Sequence, residues 1–415
     1  MKVEGRRKRD GEFCFDVTII GAGASGMACA ILLARCGVSV ALVEKQSRGG
    51  KKILASGNGK CNITNTNLLP KHFLGKNDKL IKSLLGNCSF EKIEEFFNSL
   101  GLEFDVKDDG KAYPKSHRAS IVLELLEQEI KRLGVKIFYN VDNLKVDNNF
   151  SIKFNKNTLN CKQLIIATGS KAAPQLGGDI SGLEIAKKFG HNIIKPLPAL
   201  VPLTSNSKIC KALSGVKVKA SVKLVVNNTE KSSRVEDLLF TPYGVSGLAI
   251  LDLSFDAVVN FDDKKDVMIV VDFFPDINRE NLQKYLKQRI DKKRSLPLKL
   301  WLGAIMDSKL ASYLVDELNL SDKTENNLNT KTVKEIVNIC KAYEIEISGY
   351  REFKYAEVAR GGVDTRELTE NLESKRVKGL YFIGEVTDIV GKRGGYNFSF
   401  AWCSAFRVSE TLLEV

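Results

Sequence analysis

The residues whose types and spacing could do chemistry begin close to the start of the chain. Gly21-Ala22-Gly23-Ala24-Ser25-Gly26 reads G-x-G-x-x-G, and Glu44 follows it. Gly21 permits a tight turn. Gly23 lacks a Cβ, so a pyrophosphate can approach the backbone, and Gly26 lets a helix pack close to a strand. The N–H groups that open such a helix, around Ala24 and Ser25, offer partial positive charge to phosphate. Glu44 can accept hydrogen bonds from both hydroxyls of an adenosine ribose and would repel a 2′-phosphate. The pattern predicts a site for FAD or NAD rather than NADP.

Such a site needs a strand, a helix and a second strand. Val17-Thr18-Ile19-Ile20 reads as a buried parallel strand. A helix is expected over residues 25–36, stopped by Gly37. A second apolar strand, residues 38–43, delivers Glu44. Residues 49–62 then form a loop with four glycines and little to bury. Lys52, Ser56, Gly57, Asn58, Gly59, Cys61 and Asn62 are its candidates to lie along a flat cofactor, with Lys45, next to Glu44, as a further cofactor-binding candidate. The bland alternative is a mobile surface loop.

Further on, residues 77–100 and 118–133 have helical patterns, and short strands alternate with turns over residues 135–161. Leu164-Ile165-Ile166-Ala167-Thr168-Gly169 is a buried strand whose end, Thr168 and Gly169, is expected beneath the cofactor. The texture changes after Pro196. Residues 214–226 alternate as a half-exposed antiparallel strand, residues 240–247 read as a loop before an apolar helix, and residues 279–341 read as helices. Residues 343–355 suggest two strands about Ser348-Gly349. The α/β texture returns at Leu380, with a strand ending in Gly384-Glu385, a glycine-rich turn over residues 391–397 and a closing helix over residues 398–412.

These elements predict an α/β protein with a discontinuous Rossmann-like domain, residues 13–192 plus 356–415. Inserted in it are a strand-rich cap, residues 193–275 plus 342–355, and a small helical domain, residues 276–341. Residues 1–12, with Arg6-Arg7-Lys8-Arg9, read as a basic disordered tail, or alternatively as a nucleic-acid-binding arm.

Other classes are excluded by composition. No apolar run approaches the ~18–20 residues of a membrane span. The nine cysteines are scattered, with no C-x-x-C, and suit a reducing cytoplasm better than a disulfide framework or a zinc site. The three histidines, His72, His117 and His191, are far apart, so no metal centre is expected. There is no second G-x-G-x-x-G for a stable NAD(P)H domain, and no close cysteine pair near the loop for thiol–disulfide chemistry.

With those motifs assembled, the chain resembles the BaiN/YhiN family of bacterial FAD-binding oxidoreductases, also described as aminoacetone-oxidase-like. The likeness rests on the G-x-G-x-x-G unit, the stretch from Lys51 to Asn62, Ala167-Thr168-Gly169, Gly384-Glu385, Gly394-Gly395-Tyr396-Asn397 and Ala401-Trp402. Asn58 and Lys60 stand where the family usually has Gly and Arg. The resemblance implies non-covalent FAD, a flavin domain with an inserted β-barrel-like domain and a helical domain, and a substrate site between flavin and cap. By the same likeness Gly384 and Glu385 sit at the pyrophosphate and ribityl region. The helix that opens after Gly394 and Gly395 faces the flavin, with Tyr396 and Asn397 in its first turn.

A bound flavin supplies hydride transfer, and NAD(P)H is the expected transient electron donor. Cys61, Tyr243 and Tyr396 are the candidate proton donors, with structural packing as the alternative role for Cys61. Net charge is +13. Residues 205–234 and 284–299 each carry seven Lys and Arg against one acid. Both lie in the expected cap, and Lys217, Lys219, Lys223, Lys292, Lys293 and Arg294 are the candidate contacts to a polyanion such as ribosomal RNA. Some relatives of the resembled family are associated with reducing uridine to dihydrouridine there. The alternatives are a small-molecule reductase or oxidase acting on a steroid-like enone or an amine, and a non-enzymatic RNA-binding factor that keeps flavin as a structural element.

Overall fold

The computed structural model describes residues 6–9 and 11–414. The chain forms two compact units, Met1–Leu197 with Val358–Val415, and Pro198–Glu357.

The first unit is built on five parallel strands. Glu12–Ile20 lies at the centre, with Val40–Val43 on one side and Asn157–Ile166 on the other. Lys136–Phe138 extends the sheet beyond Val40–Val43, and Leu380–Phe382 beyond Asn157–Ile166. Thr18, Ile19, Leu42 and Ile165 are all buried, because helices cover both faces of such a sheet. The nucleotide helix, Ala24–Arg35, packs against the closing helix, Tyr396–Leu413. Its Ala28, Cys29 and Ala30 are small and fully buried, which lets the two backbones approach.

The strand Asn157–Ile166 changes partners along its length within one eight-stranded sheet. Its first residues pair antiparallel with Ser151–Phe154, and its last three pair parallel with Leu380–Phe382. Arg6–Arg9 is not a disordered tail: it forms a strand antiparallel to the start of Glu12–Ile20. The rest of the expected tail, residues 1–5 and 10, lies outside the described residues. The helical stretch 77–100 resolves into Asp78–Gly86 and Phe90–Asn98, the second capped by the Ser89 hydroxyl, which accepts from Lys92 N–H. Between them Cys88 is disulfide-bonded to Cys403 of the closing helix, a pairing across 315 residues that no local spacing announces.

The second unit is a seven-stranded antiparallel sheet. Its order is Tyr343–Glu346, Val267–Asp272, Lys217–Val226, Thr229–Thr241, Gly244–Ser246, Leu203–Thr204, Gly349–Tyr350. Tyr343–Glu346 and Gly349–Tyr350 are thus not a hairpin about Ser348-Gly349. They stand at opposite ends of the sheet, joined by two residues. Ile347 N–H donates to Val267 C=O and Ser348 N–H to Thr204 C=O, so the two ends are drawn together in a barrel-like closure. Where a loop was expected, Thr229–Thr241 runs through Phe240 and Gly244–Ser246 adds a strand. The helices Arg279–Arg289, Leu298–Gly303, Ser308–Glu317 and Thr330–Lys341 belong to this same unit. Among the described residues no helix is long and apolar enough to cross a membrane.

Candidate functional site

The nucleotide end forms where the central strand stops. Gly21 has φ +109°, and a Cβ there would lie 2.4 Å from Ala167 O. A Cβ on Gly26 would lie 2.0 Å from Gly21 O. Both glycines are therefore required by the protein's own packing. Gly23 differs: a Cβ there would meet nothing within 4 Å. It caps the nucleotide helix with extended backbone, and the first-turn N–H groups of Ala24, Ser25 and Gly26 have no acceptor within the helix. Open space against unpaired donors fits a pyrophosphate.

Glu44 fastens this turn as well as facing it. Its Oε2 accepts from Ala22 N–H at 2.9 Å and its Oε1 from Gln46 N–H at 2.9 Å. Each oxygen keeps a lone pair for a ribose hydroxyl. Lys45 is turned to Asp179, with Nζ 2.7 Å from Oδ2. Thr168 packs against Gly182, which has no room for a Cβ beside the threonine hydroxyl.

The glycine-rich loop is ordered from both sides. Lys52, on the short helix Lys51–Ala55, pairs with Glu385 at 2.7 Å, and the other oxygen of Glu385 accepts from Ala359 N–H. Gly57 and Asn58 are both left-handed, at φ 56° and 54°. Asparagine tolerates that conformation better than most residues. Ser56 closes the loop, its C=O accepting from Cys61 N–H. Asn62, with its amide oriented to satisfy its neighbours, donates to Thr64 and Ala112 C=O and accepts from Gly395 N–H. Asn65 donates to Gly394 C=O, and Asn397 bonds Gly391 through both N–H and C=O. Trp402 Nε1–H donates to Ile63 C=O. The loop at 56–62, the turn at 391–397 and the closing helix are one hydrogen-bonded body.

Sequence reasoning passed over several of these partners. Asn65 has no motif around it. Ser404, whose hydroxyl accepts from Gly384 N–H, lies mid-helix. The adjacent pair Gly361-Gly362 was a usable signal: a Cβ on Gly362 would lie 2.5 Å from Thr387 O, just beyond Gly384-Glu385. Asp388 was also missed. It is buried, its carboxyl accepts from the N–H groups of Lys76 and Thr365, and burial pushes its pKa up.

Of the three candidate proton donors, Cys61 and Tyr396 belong to the first unit, where their neighbours Asn62 and Gly395 are hydrogen-bonded. Cys61 is fully buried at φ +58°, and burial pushes its thiol up to about 12. Tyr396 is buried and stacks on His72, with ring centroids 4.5 Å apart and planes 11° apart. Burial, then the charge of Asp109, raises the Tyr396 phenol. Burial and the nearby Lys392 and Lys71 depress the His72 imidazole, which favours its neutral form. Tyr243 belongs to the second unit.

The basic patch expected of the cap is largely neutralised where it stands. Lys217 pairs with Asp237 at 3.2 Å, Lys219 with Asp276 at 4.0 Å and Lys223 with Glu230 at 2.7 Å. Lys292 donates to Asn326 C=O, and Arg294 makes a bidentate pair with Glu325, which is wholly buried. The second unit has 24 Lys and Arg against 22 Asp and Glu, a net +2, whereas the first has 39 against 28, a net +11. The positive surplus sits on the unit with the dinucleotide site, which corrects the expectation of a basic cap. Arg294→Ala would strand a buried carboxylate. It is expected to lower the melting temperature by several degrees in a thermal melt, while Lys293→Ala leaves it unchanged.

The family described as HI0933-like protein Rossmann domain matches residues 15–411. A Haemophilus influenzae protein named ribosomal RNA dihydrouridine synthase is 33% identical over 94% of this chain and 96% of its own length. A Clostridium scindens protein named 3-dehydro-bile acid delta(4,6)-reductase is 31% identical over 96% of this chain and 99% of its own. Among solved structures, the 3-ketosteroid delta1-dehydrogenase of Sterolibacterium denitrificans is similar with a TM-score of 0.50 at 12% identity, covering 97% of this chain and 99% of that one. That likeness is one of fold.

Proposed function

Since the chain belongs to the HI0933-like Rossmann family and is an FAD-dependent oxidoreductase, we propose that it saturates a carbon–carbon double bond conjugated to a carbonyl, with uridine in ribosomal RNA as the substrate and NAD(P)H as a transient electron donor. Both named relatives support the reaction class, because each name describes the reduction of an unsaturated ring. The observation that carries the choice of RNA is the net +11 of the FAD-binding unit, which suits a polyanion and is not needed for a bile acid.

The residues present fit FAD. Gly23 leaves space at a helix N-terminus, Glu44 offers carboxylate oxygens for ribose hydroxyls, and the loop at 56–62 is braced on the closing helix. Bound FAD supplies hydride chemistry. The chain must hold the pyrimidine in place, exclude water and deliver a proton. In a uracil ring the hydride goes to C6 and the proton to C5, so atoms and charge balance once an acid donates. That acid must lie within hydrogen-bond reach of C5. The buried Cys61 thiol and the Tyr396 phenol both stay protonated at neutral pH. We assign Cys61 to packing and Tyr396 to the wall that orients the ring.

The test is mass-spectrometric mapping of dihydrouridine in ribosomal RNA from cells with and without the gene. One dihydrouridine should disappear in the deletion and return with the wild-type chain. An unchanged profile would reject RNA as substrate and point to an enone of the bile-acid kind.

A further inference from the structure

Arg351 of the second unit lies between two tyrosine rings. Its guanidinium carbon is 4.2 Å from the Tyr243 centroid and 3.8 Å from the Tyr355 centroid. The backbone on both sides is fixed by the strand Leu203–Thr204. Ser205 N–H donates to Tyr243 C=O, and Arg351 N–H donates to Pro202 C=O. The turn that carries Tyr243 is locked by Thr241, whose hydroxyl donates to Gly244 C=O. Tyr355 sits on the single turn Phe353–Tyr355 and is 44% exposed.

Three other arginines of the chain show a carboxylate fork that this one lacks. Arg294 is bidentate to Glu325, Arg366 to Asp364 and Arg376 to Glu367. Among the described residues no carboxylate pairs with Arg351, although Glu352 and Glu357 are its exposed neighbours in sequence. A guanidinium clamped between two rings directs its N–H donors outward from its edge in a fixed plane. That fork matches two oxygens of a phosphate. The exposed tyrosine beside it offers a face on which a base can stack. Lys354 adds positive charge 5.9 Å from the same ring.

We propose that Tyr243, Arg351 and Tyr355 form a nucleotide platform that takes one residue of a single-stranded RNA, its phosphodiester on the edge of Arg351 and its base on Tyr355. The assignment rests on the reading of RNA as substrate and adds where the strand is gripped. Tyr243 then acts as the inner wall of the stack. The platform recognises a sugar–phosphate backbone and any base, so it fixes the path of the strand rather than its sequence.

The experiment is fluorescence anisotropy of the FAD-loaded full chain with a labelled uridine-rich single-stranded RNA of about twelve nucleotides, within the length that such surfaces span. Arg351→Ala and Tyr355→Ala are each expected to weaken binding about tenfold. Tyr355→Phe should bind as the parent does, and Arg351→Lys should fall between, since it keeps charge but loses the planar fork. Arg351→Ala should also reduce the salt dependence by about one ion. FAD absorbance and melting temperature, unchanged in all four variants, separate loss of grip from loss of fold. Unaltered RNA affinity in Arg351→Ala and Tyr355→Ala, with wild-type binding present, overturns the platform and leaves the substrate reading intact. No RNA binding by the wild type overturns the platform, while the dihydrouridine map judges the substrate on its own.

Discussion

Gly23→Val is expected to give a chain that folds and melts as the parent does but purifies without its flavin. A Cβ at Gly23 meets no protein atom within 4 Å, and the backbone there is extended, which valine favours, so the apoprotein is expected to keep its fold. The space it enters is the one a pyrophosphate needs in order to reach the N–H groups of Ala24, Ser25 and Gly26. FAD affinity should fall at least about 100-fold, or about 3 kcal/mol. Gly26→Ala is the contrasting variant. Its Cβ would lie 2.0 Å from Gly21 O, so the apoprotein itself should lose stability. Thermal melts of the two apoproteins beside flavin titrations check both halves of the argument. A Gly23→Val protein that keeps FAD at parental affinity would place the pyrophosphate elsewhere.

Trp402→Ala should be the most damaging single truncation in the first unit. The indole is fully buried, meets Phe97 edge-on at 5.1 Å between centroids, and stacks on Phe398 at 5.8 Å. Removing a buried aromatic of this size costs about 3–5 kcal/mol. The loss of its N–H to Ile63 C=O adds a functional consequence, because Ile63 follows Asn62 in the flavin loop. The melting temperature should drop by roughly 10 °C, and FAD retention on gel filtration should fall with it. Trp402→Phe keeps most of the volume and forfeits the hydrogen bond, at about 1 kcal/mol. Its melting temperature should lie much nearer the parent, with the loss of flavin as the more sensitive readout. Equal melts for Trp402→Ala and the parent would remove the indole from this bracing role.

The parts of the fold that could be read from sequence are those written in local pattern. The central strand, the helix after Gly23 and the strand before Glu44 each carry their own periodicity and punctuation; the helix and the second strand stand within one or two residues of expectation, and the central strand ends where expected but starts five residues earlier, at Glu12. What failed was written across distance. Tyr343–Glu346 and Gly349–Tyr350 look like a hairpin because both are short and separated by Ser348-Gly349. Their partners, Val267–Asp272 and Leu203–Thr204, lie far away in the chain. The clusters of lysine at 205–234 and 284–299 misled for a related reason. A count along the chain includes neighbours in sequence, whereas Asp276 and Glu325 reach Lys219 and Arg294 from elsewhere in the unit. At the candidate site the glycines and acids were legible because dinucleotide chemistry restricts residue type. Asn65, Ser404 and Asp388 were not, since their work is to hold a backbone that some other polar side chain could hold as well.

With Cys88 and Cys403 joined, residues 88–403 form a covalent ring, and the whole of the inserted unit lies inside it. Outside the ring lie residues 1–87, which carry the central strand and the nucleotide helix, and the end of the closing helix after Cys403. One cut in a surface loop of that unit opens the ring without parting the molecule, and the N- and C-terminal contributions to the FAD-binding unit stay tethered. Separation requires either a second cut or a reductant that reaches two sulfurs on residues only 2% and 1% exposed.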